Sequence, residues 1–294
     1  MERTGSSMTY SIIGRDRDRG EIGCAVQSKF PGVSSIVLHA RGGVGAVTTQ
    51  GFADPCAAAK ILDLIERGAK ADEAVTIAVR DLDGVSERQF GVMAMHGEGV
   101  GHTGAAMDDW NGFAACIPGK ECIVGGNALS GETVLTAMIE AFEATSELRL
   151  PDRLIAALRA GRDAGGELRG EQAAGLLVVK EEGGYGGLSD RMVDIQIYDH
   201  ESPIEELARC FKLHRMSYFP SDPDKMVPIE DDTADFLKTL LQRQGHETSD
   251  GGEWTEADTD GLARFMGEAN YDNRIHYDGR IDSEVLDDLR RRHG

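Results

Sequence analysis

The residue best placed to do chemistry is Thr9, which directly follows Met8 at the head of the strand-like run Thr9–Gly14. If translation starts at Met8, or if residues 1–8 are removed, Thr9 carries a free α-amino group beside its own hydroxyl. A nucleophile and a base then lie on one residue, which activates a threonine for attack on a carbonyl carbon. The alternative is a methionine inside an ordinary first strand, which leaves Thr9 without a catalytic role.

A second candidate, Lys29, follows from strand pairing. The strand-like runs 9–15 and 21–28 flank a turn-rich segment and are predicted to form a hairpin. Residues at equal distance from the turn pair, so Thr9 lies opposite a residue near 27–29 and Lys29 falls within its reach. A lysine there would lower the pKa of a neighbouring hydroxyl or amine through its charge. A solvated strand end is the alternative for Lys29.

Other chemically suggestive residues have simpler explanations. Asp16 lies in the turn and could pair with Lys29 only if the turn folds back. The segment Gly183–Gly187 lacks the Lys-Ser/Thr of a phosphate-binding loop. The five cysteines form no Cys-x-x-Cys motif, and no histidine pair shows metalloprotease spacing. We therefore expect neither a metal site nor a cofactor.

Composition narrows the class of protein. The chain has 294 residues and a formal net charge of −20, which argues against nucleic acid because phosphate binding needs a basic surface. An acidic surface of this kind suits high salt, so a halophilic source is one interpretation. No run approaches the roughly 20 apolar residues of a membrane span, and the start lacks the apolar region of a secretory signal. These features predict a cytoplasmic protein without membrane partners.

The order of elements predicts the fold class. Four short strands (9–15, 21–28, 34–39 and 43–48) precede two helices, further strands, two helices, two strands and a helix from Pro203. Because strands and helices do not alternate, the sheets should be antiparallel with helices on their outer faces. We therefore predict an α+β fold with a four-layer αββα sandwich over residues 8–217.

Residues 218–294 are predicted to form a linker and a separate domain. Residues 218–227 have the proline and polar content of a linker. Residues 228–294 carry three amphipathic helical patterns, at 233–242, 255–270 and 282–291. The sequence therefore predicts a small all-α C-terminal domain.

The motifs together carry a family resemblance. In chain order they lie at Met8–Asp16, Val26–Phe30, Gly43–Ala53, His102–Gly104, Gly125–Leu129, Arg169–Ala174, Gly183–Arg191 and Asp199–Pro203. The set resembles the domain-of-unknown-function 1028 family, which is grouped with the N-terminal-nucleophile (Ntn) hydrolases. The resemblance extends over roughly residues 8–215 and implies an αββα Ntn fold.

The resemblance also implies roles for particular residues. It makes Thr9 the nucleophile, with Lys29 and Asp16 beside it. It implies that an oxyanion is stabilised by Asn127 and by backbone N–H groups near Thr49–Gly51. It also implies that substrate is bound by Thr49 and Gln50. Asp190 and Arg191 would buttress the site or hold a substrate carboxylate.

The start of the chain decides whether Thr9 can act as the nucleophile. A product begun at Met1 should keep its methionine, because Glu2 is the second residue, and Thr9 would then be internal.

The C-terminal segments Phe265–Tyr271 and Ile281–Leu286, with Arg274, resemble a small domain family named for peptidoglycan binding. That name implies a cell-wall ligand, while docking onto the main domain or onto a dimer mate is the alternative.

The resulting functional hypothesis is an Ntn-type amidohydrolase that cleaves a small-molecule amide through Thr9 and an acyl-enzyme. One rival is a non-catalytic Ntn-like scaffold that binds a metabolite. A second rival is an assembly protein that forms homo-oligomers through its acidic helical tail.

Overall fold

The computed structural model describes residues 8–294, so the expectation about Met1 and residues 1–7 lies outside the described residues. The chain divides into two compact units between Phe211 and Lys212. The first unit is mixed α and β with antiparallel sheets, and the second is mainly helical. This confirms the predicted mixed class with a C-terminal helical region.

Residues 8–211 form ten strands and five α-helices of the first unit, and a sixth α-helix begins in this unit and ends in the second. In chain order they are β1 (Thr9–Asp16), β2 (Glu21–Ser28), α1 (Ser34–Val37), β3 (Leu38–Arg41), β4 (Gly45–Gly51), α2 (Pro55–Glu66), α3 (Ala71–Val79), β5 (Arg88–Ala94), β6 (Gly99–Thr103), β7 (Phe113–Pro118), β8 (Cys122–Leu129), α4 (Thr133–Ala144), α5 (Leu150–Asp163), β9 (Ala173–Val179), β10 (Arg191–Ile197) and α6 (Pro203–Tyr218).

The strands form two antiparallel sheets. The larger has the order β10-β9-β2-β1-β8-β7, and the smaller has the order β3-β4-β5-β6. β1 therefore lies in the middle of the larger sheet, between β2 and β8. The predicted hairpin is confirmed, with Thr9 opposite Ser28 and Asp16 opposite Glu21.

The apolar residues of the strands alternate between two sides, as the two-residue period of a strand requires. Ile13, Ile123, Ala46 and Met93 come from both sheets and share one buried cluster, so the sheets pack face to face. On the other side of the smaller sheet, Val47, Phe90 and Val92 pack with the buried faces of α2 and α3. On the other side of the larger sheet, the Tyr10 hydroxyl donates to the Leu158 carbonyl of α5.

One predicted strand was wrong in part. Residues 34–39 were predicted as a strand, but Ser34–Val37 form one helical turn and the strand begins at Leu38. The Pro31-Gly32 turn precedes this segment, and the Ser35 hydroxyl donates back to the Gly32 carbonyl, which favours a local turn. By contrast, the helix predicted to start at Asp54-Pro55 is confirmed, with the Asp54 side chain accepting from the Ala57 N–H.

The second unit contains three helices beyond α6: α7 (Asp231–Arg243), α8 (Glu256–Glu268) and α9 (Ser283–His293). Their apolar faces share one core cluster that includes Leu237, Phe265 and Leu289. The prediction that this unit is all-α was wrong, because β11 (Met226–Pro228) and β12 (Arg280–Asp282) form a short antiparallel pair. Residues 218–227 include the end of α6, a 3-10 turn at Pro223–Lys225 and the start of β11.

Within residues 8–294, every helix is too short or too polar to cross a bilayer.

Candidate active site

Thr9 begins the central strand and its side chain is fully buried. It pairs with Ser28 on one neighbouring strand and with Asn127 on the other. Its hydroxyl donates to the Ser28 hydroxyl at 3.1 Å. Asn127 donates through Nδ2 to Gln89 of the smaller sheet, and its Oδ1 has no hydrogen-bond partner among the described residues.

Two side chains hold the peptide carbonyl that precedes Thr9. The Ser28 hydroxyl donates to the Met8 carbonyl oxygen at 2.5 Å. Arg169 donates to the same oxygen through Nη2 at 2.9 Å. A hydrogen-bond chain therefore runs from the Thr9 hydroxyl through Ser28 to the Met8 carbonyl, and a guanidinium approaches that carbonyl as well.

A buried carboxylate anchors Arg169. Glu167 accepts from Arg169 Nε at 2.6 Å and from the Lys29 backbone N–H at 2.9 Å. The Glu167 side chain has no exposed surface, and this burial raises the pKa of its carboxyl group despite the hydrogen bonds from Lys29 and Arg169. We refer to Thr9, Ser28, Asn127, Glu167 and Arg169 as the Thr9 site.

The loop between α5 and β9 delivers Glu167 and Arg169 to the start of β1. Gly165 and Gly166 have φ values of 115° and 55°, which reverse the chain after α5. Glu167 then bridges to Leu129, and the Leu168 N–H donates to the Ala128 carbonyl at 3.3 Å. The loop is thus fixed to the end of β8, beside the strand end that carries Thr9.

A network of buried amide side chains lies between the two sheets next to the Thr9 site. The Ser11 hydroxyl donates to Gln50 at 2.8 Å, and Gln50 donates to Gln89 at 2.7 Å. Gln89 also accepts from Asn127 at 3.0 Å and donates to the Gly126 carbonyl at 2.9 Å. Gln89 therefore connects the smaller sheet to the strand that faces Thr9.

Replacing Gln89 by leucine is expected to destabilise the first unit by about 3 kcal/mol or more, because it leaves buried donors on Gln50 and Asn127 unpaired at roughly 1–3 kcal/mol each. The matched control is Gln196→Leu on β10, where the side chain is exposed and a change within about 0.5 kcal/mol is expected. Urea unfolding, followed by Trp110 fluorescence in a Trp254→Phe background, measures the difference. Equal midpoints for the two variants would contradict the prediction.

Lys29 lies next to the Thr9 site but is directed elsewhere. The hairpin register places Ser28 opposite Thr9, within the predicted range 27–29. The side chain of Lys29 is exposed, and its Nζ donates to the Glu171 carbonyl at 2.9 Å. Lys29 thus contributes a backbone N–H to Glu167, and the predicted ammonium group beside Thr9 is not observed.

Asp16, Asp190 and Arg191 are separated from Thr9. Asp16 ends β1, and seven steps of about 3.3 Å place it roughly 23 Å from Thr9 along the strand. Arg191 pairs with Val179, which pairs with Ile22 at the same far end of the sheet. Asp190 accepts there from the Gly42 N–H at 2.8 Å. The expectation that these three residues join one site with Thr9 is corrected by this register.

Thr49 and Gln50 face opposite sides of β4. The Thr49 hydroxyl accepts from the Asp54 N–H at 2.8 Å, at the start of α2 and on the outer side of the smaller sheet. Gln50 instead faces the larger sheet, where it contacts Ser11. The backbone of Thr49–Gly51 is paired with β5. Of the predicted substrate-binding residues, only Gln50 approaches the strand that carries Thr9.

Sequence reasoning missed Ser28, Glu167 and Arg169 as members of the site. Ser28 was signalled by the hairpin register, which restricts the residue opposite Thr9 to a range of three. Arg169 belongs to a motif that carried the family resemblance, but no role was drawn for it. Glu167 left no local signal, because its burial depends on a loop that crosses to another strand.

Among residues 8–294, no group of three or more His, Cys, Asp or Glu side chains could hold a metal ion. Burial raises the pKa of the Cys116 thiol and of the Cys122 thiol to about 12.

Comparison with known proteins locates two families along the chain. Residues 9–207 match a family model described as "Family of unknown function (DUF1028)". Residues 218–289 match one described as "Putative peptidoglycan binding domain". No curated protein matches the chain.

One similar solved structure supports the DUF1028 match and covers most of both chains. It is described as the crystal structure of protein SPO2555 from Silicibacter pomeroyi, family-model DUF1028. The two proteins are 26% identical, with a TM-score of 0.63, over 78% of this chain and 90% of the other. The family match covers more than half of the chain and includes every residue of the Thr9 site. The chain therefore belongs to the DUF1028 family, a family of unknown function.

Proposed function

We propose that this protein is an N-terminal-nucleophile amidohydrolase that cleaves a small amide through Thr9 once the α-amino group of Thr9 is free. The observation that carries the proposal is the placement of Thr9 at the head of the central strand. There its hydroxyl is hydrogen-bonded to Ser28. The preceding carbonyl is held by two donors.

The arrangement of the first unit is consistent with the αββα order of Ntn hydrolases. The two sheets share an apolar cluster, α2 and α3 pack on the smaller sheet, and α5 contacts β1 and β2 of the larger one. Thr9 lies on the side of β1 that faces the smaller sheet, because Tyr10 faces α5 and neighbouring strand residues alternate.

The chemistry requires the hydroxyl and the free α-amine of Thr9, together with one water molecule. Thr9 Oγ1 bonds to the amide carbon while its proton passes to the α-amine of Thr9, and the carbonyl π electrons move to the oxygen. Collapse of this intermediate re-forms the carbonyl, breaks the C–N bond and gives the proton to the leaving amine. Water then attacks the resulting ester and releases the acid, which restores the threonine hydroxyl.

Asn127 offers two polar groups close to Thr9. One N–H of its Nδ2 donates to Gln89, which leaves the second N–H for the oxyanion role first expected. Its Oδ1 is buried, lacks a partner among the described residues and lies on the strand position opposite Thr9. We propose that Oδ1 accepts a hydrogen bond from the α-ammonium group of Thr9 and so orients it.

Removal of the residues before Thr9 should therefore switch on the activity. The test compares two chains, one released from a cleavable fusion with Thr9 as its first residue and one that retains Met8. Both are incubated with a set of small amides, and the released amine is measured. We expect hydrolysis only by the chain that begins at Thr9, because in the chain that retains Met8 the nitrogen of Thr9 is part of a peptide bond and cannot act as a base.

The opposite result would favour a non-catalytic scaffold. If both chains bind the same small molecules without hydrolysing them, the metabolite-binding alternative is the better description. Oligomers that disappear on deletion of residues 228–294, with the first unit unaffected, would favour the assembly alternative.

A further inference from the structure

We propose that Arg169 is a catalytic residue of this acyl transfer, and that with Ser28 it donates to the oxygen on which negative charge develops. This inference rests on the proposed function and deepens it. Its structural basis is the Met8 carbonyl group, whose oxygen occupies the position that the reacting carbonyl oxygen of a substrate would take.

The two donors converge on one atom from different parts of the fold. Ser28 ends β2, whereas Arg169 lies in the loop between α5 and β9. Their distances to the Met8 oxygen are 2.5 and 2.9 Å. Preorganised donors at this range are the usual means of stabilising an oxyanion. A guanidinium contributes a charge-assisted hydrogen bond that strengthens as the oxygen becomes negative.

Threonine geometry connects the Met8 carbonyl to a substrate. The nitrogen and Oγ1 of Thr9 are attached to adjacent carbon atoms. An acyl group on Oγ1 therefore lies in nearly the same space as the acyl group that Met8 places on the nitrogen. When Met8 is absent, Ser28 Oγ and Arg169 Nη2 lose this acceptor and are available to the carbonyl oxygen of the substrate.

The contacts of Arg169 favour a single oxygen over a substrate carboxylate. Its Nε is already paired with Glu167, which balances the guanidinium charge. Recognition of a carboxylate usually uses two parallel N–H groups of one arginine. Here one nitrogen of Arg169 and one hydroxyl of Ser28 approach the same atom. The pair thus suits an amide carbonyl that becomes an oxyanion.

The test uses two electrophiles, of which one creates a tetrahedral oxyanion at that position on attack and the other does not. An uncharged β-lactone acylates Thr9 through a tetrahedral oxyanion, whereas phenyl vinyl sulfone alkylates it without one. In chains that begin at Thr9, Arg169→Met should slow lactone acylation by about 10²–10³-fold, which is the usual loss for one oxyanion donor. The rate of vinyl sulfone alkylation should not change. Arg209→Met, an exposed arginine paired with Glu206, is the matched control and should change neither rate.

Three other outcomes would overturn the proposal. Equal slowing of both reactions would make Arg169 a structural residue, and unchanged lactone acylation would remove it from the reaction. Loss confined to carboxylate-bearing substrates would instead make it a carboxylate-binding residue. If Arg169→Met fails to fold by circular dichroism, Arg169→Gln, which removes the charge but keeps a polar side chain, should still slow lactone acylation and leave vinyl sulfone alkylation unchanged. If the unsubstituted chain is labelled by neither probe, the proposed function itself fails and this inference fails with it.

Discussion

Replacing Thr9 by alanine in the chain that begins at residue 9 is expected to reduce amide hydrolysis by about 10⁴–10⁶-fold, the range seen when a hydroxyl nucleophile is removed. Alanine keeps the α-amine but lacks the oxygen that forms the acyl-enzyme. Thr9→Ser keeps that oxygen and should retain most of the activity. Turnover of the best amide substrate from the screen, measured as kcat/KM, gives the comparison.

Loss of stability is expected to be small beside such a loss of activity. Thr9→Ala removes the hydrogen bond of Oγ1 to Ser28 and one buried methyl group, which together should cost about 2 kcal/mol of unfolding free energy. Thr136→Ala, at an exposed threonine on α4, is the matched control and should leave kcat/KM unchanged. Activity that survives in Thr9→Ala would show that another group is the nucleophile.

Features set by local pattern were predictable from the sequence. The hairpin register follows from two strands of similar length around a turn, and the start of α2 follows from an Asp-Pro pair. Such features depend on residues that are near each other in the sequence. The β11–β12 pair was not predicted. Each of its strands has three residues, which are too few positions to show an alternating apolar pattern.

The composition of the site was predictable only where strand geometry determined it. A hairpin turn lies at the far end from the start of its first strand, so Asp16 could not approach Thr9 once the hairpin was correct. Alternation along β4 likewise separates Thr49 from Gln50. Glu167 reaches the site through a loop bridging to β8, a pairing that single-residue propensities do not encode.

The Thr9 site balances its own charges, which bears on how it could operate within an acidic protein. The chain has a net charge of −20, yet the guanidinium of Arg169 is held beside Thr9 by the buried Glu167. Without Glu167, an arginine in that loop could pair with other acidic residues. We infer that Glu167 positions Arg169, while its raised pKa reflects burial of the carboxyl group.

The second large effect concerns a buried ion pair in the second unit. Arg274 and Asp282 form a hydrogen-bonded pair in which the side chains are 3% and 0% exposed. Arg274 also donates to the Phe219 carbonyl at 2.8 Å, and Asp282 caps α9 by accepting from the Glu284 N–H at 2.8 Å. The pair therefore connects the strand β12, the last helix and the segment after α6.

Arg274→Met should destabilise the second unit by about 3–5 kcal/mol, because it leaves the carboxylate of Asp282 buried without its main counter-charge. The control is Arg280→Met on β12, since Arg280 is half exposed and pairs with Asp278 at the surface. Its expected cost is below about 1 kcal/mol. Urea unfolding, followed by Trp254 fluorescence in a Trp110→Phe background, reports on this unit.

A double variant separates the charge from the packing. Adding Asp282→Asn to Arg274→Met removes the unpaired charge but keeps an acceptor that can cap α9. We therefore expect the double variant to recover most of the stability lost in Arg274→Met. If it is no more stable than Arg274→Met, the loss comes from the packing of the arginine and its backbone contacts. The second unit would then depend on the shape of Arg274 more than on its charge.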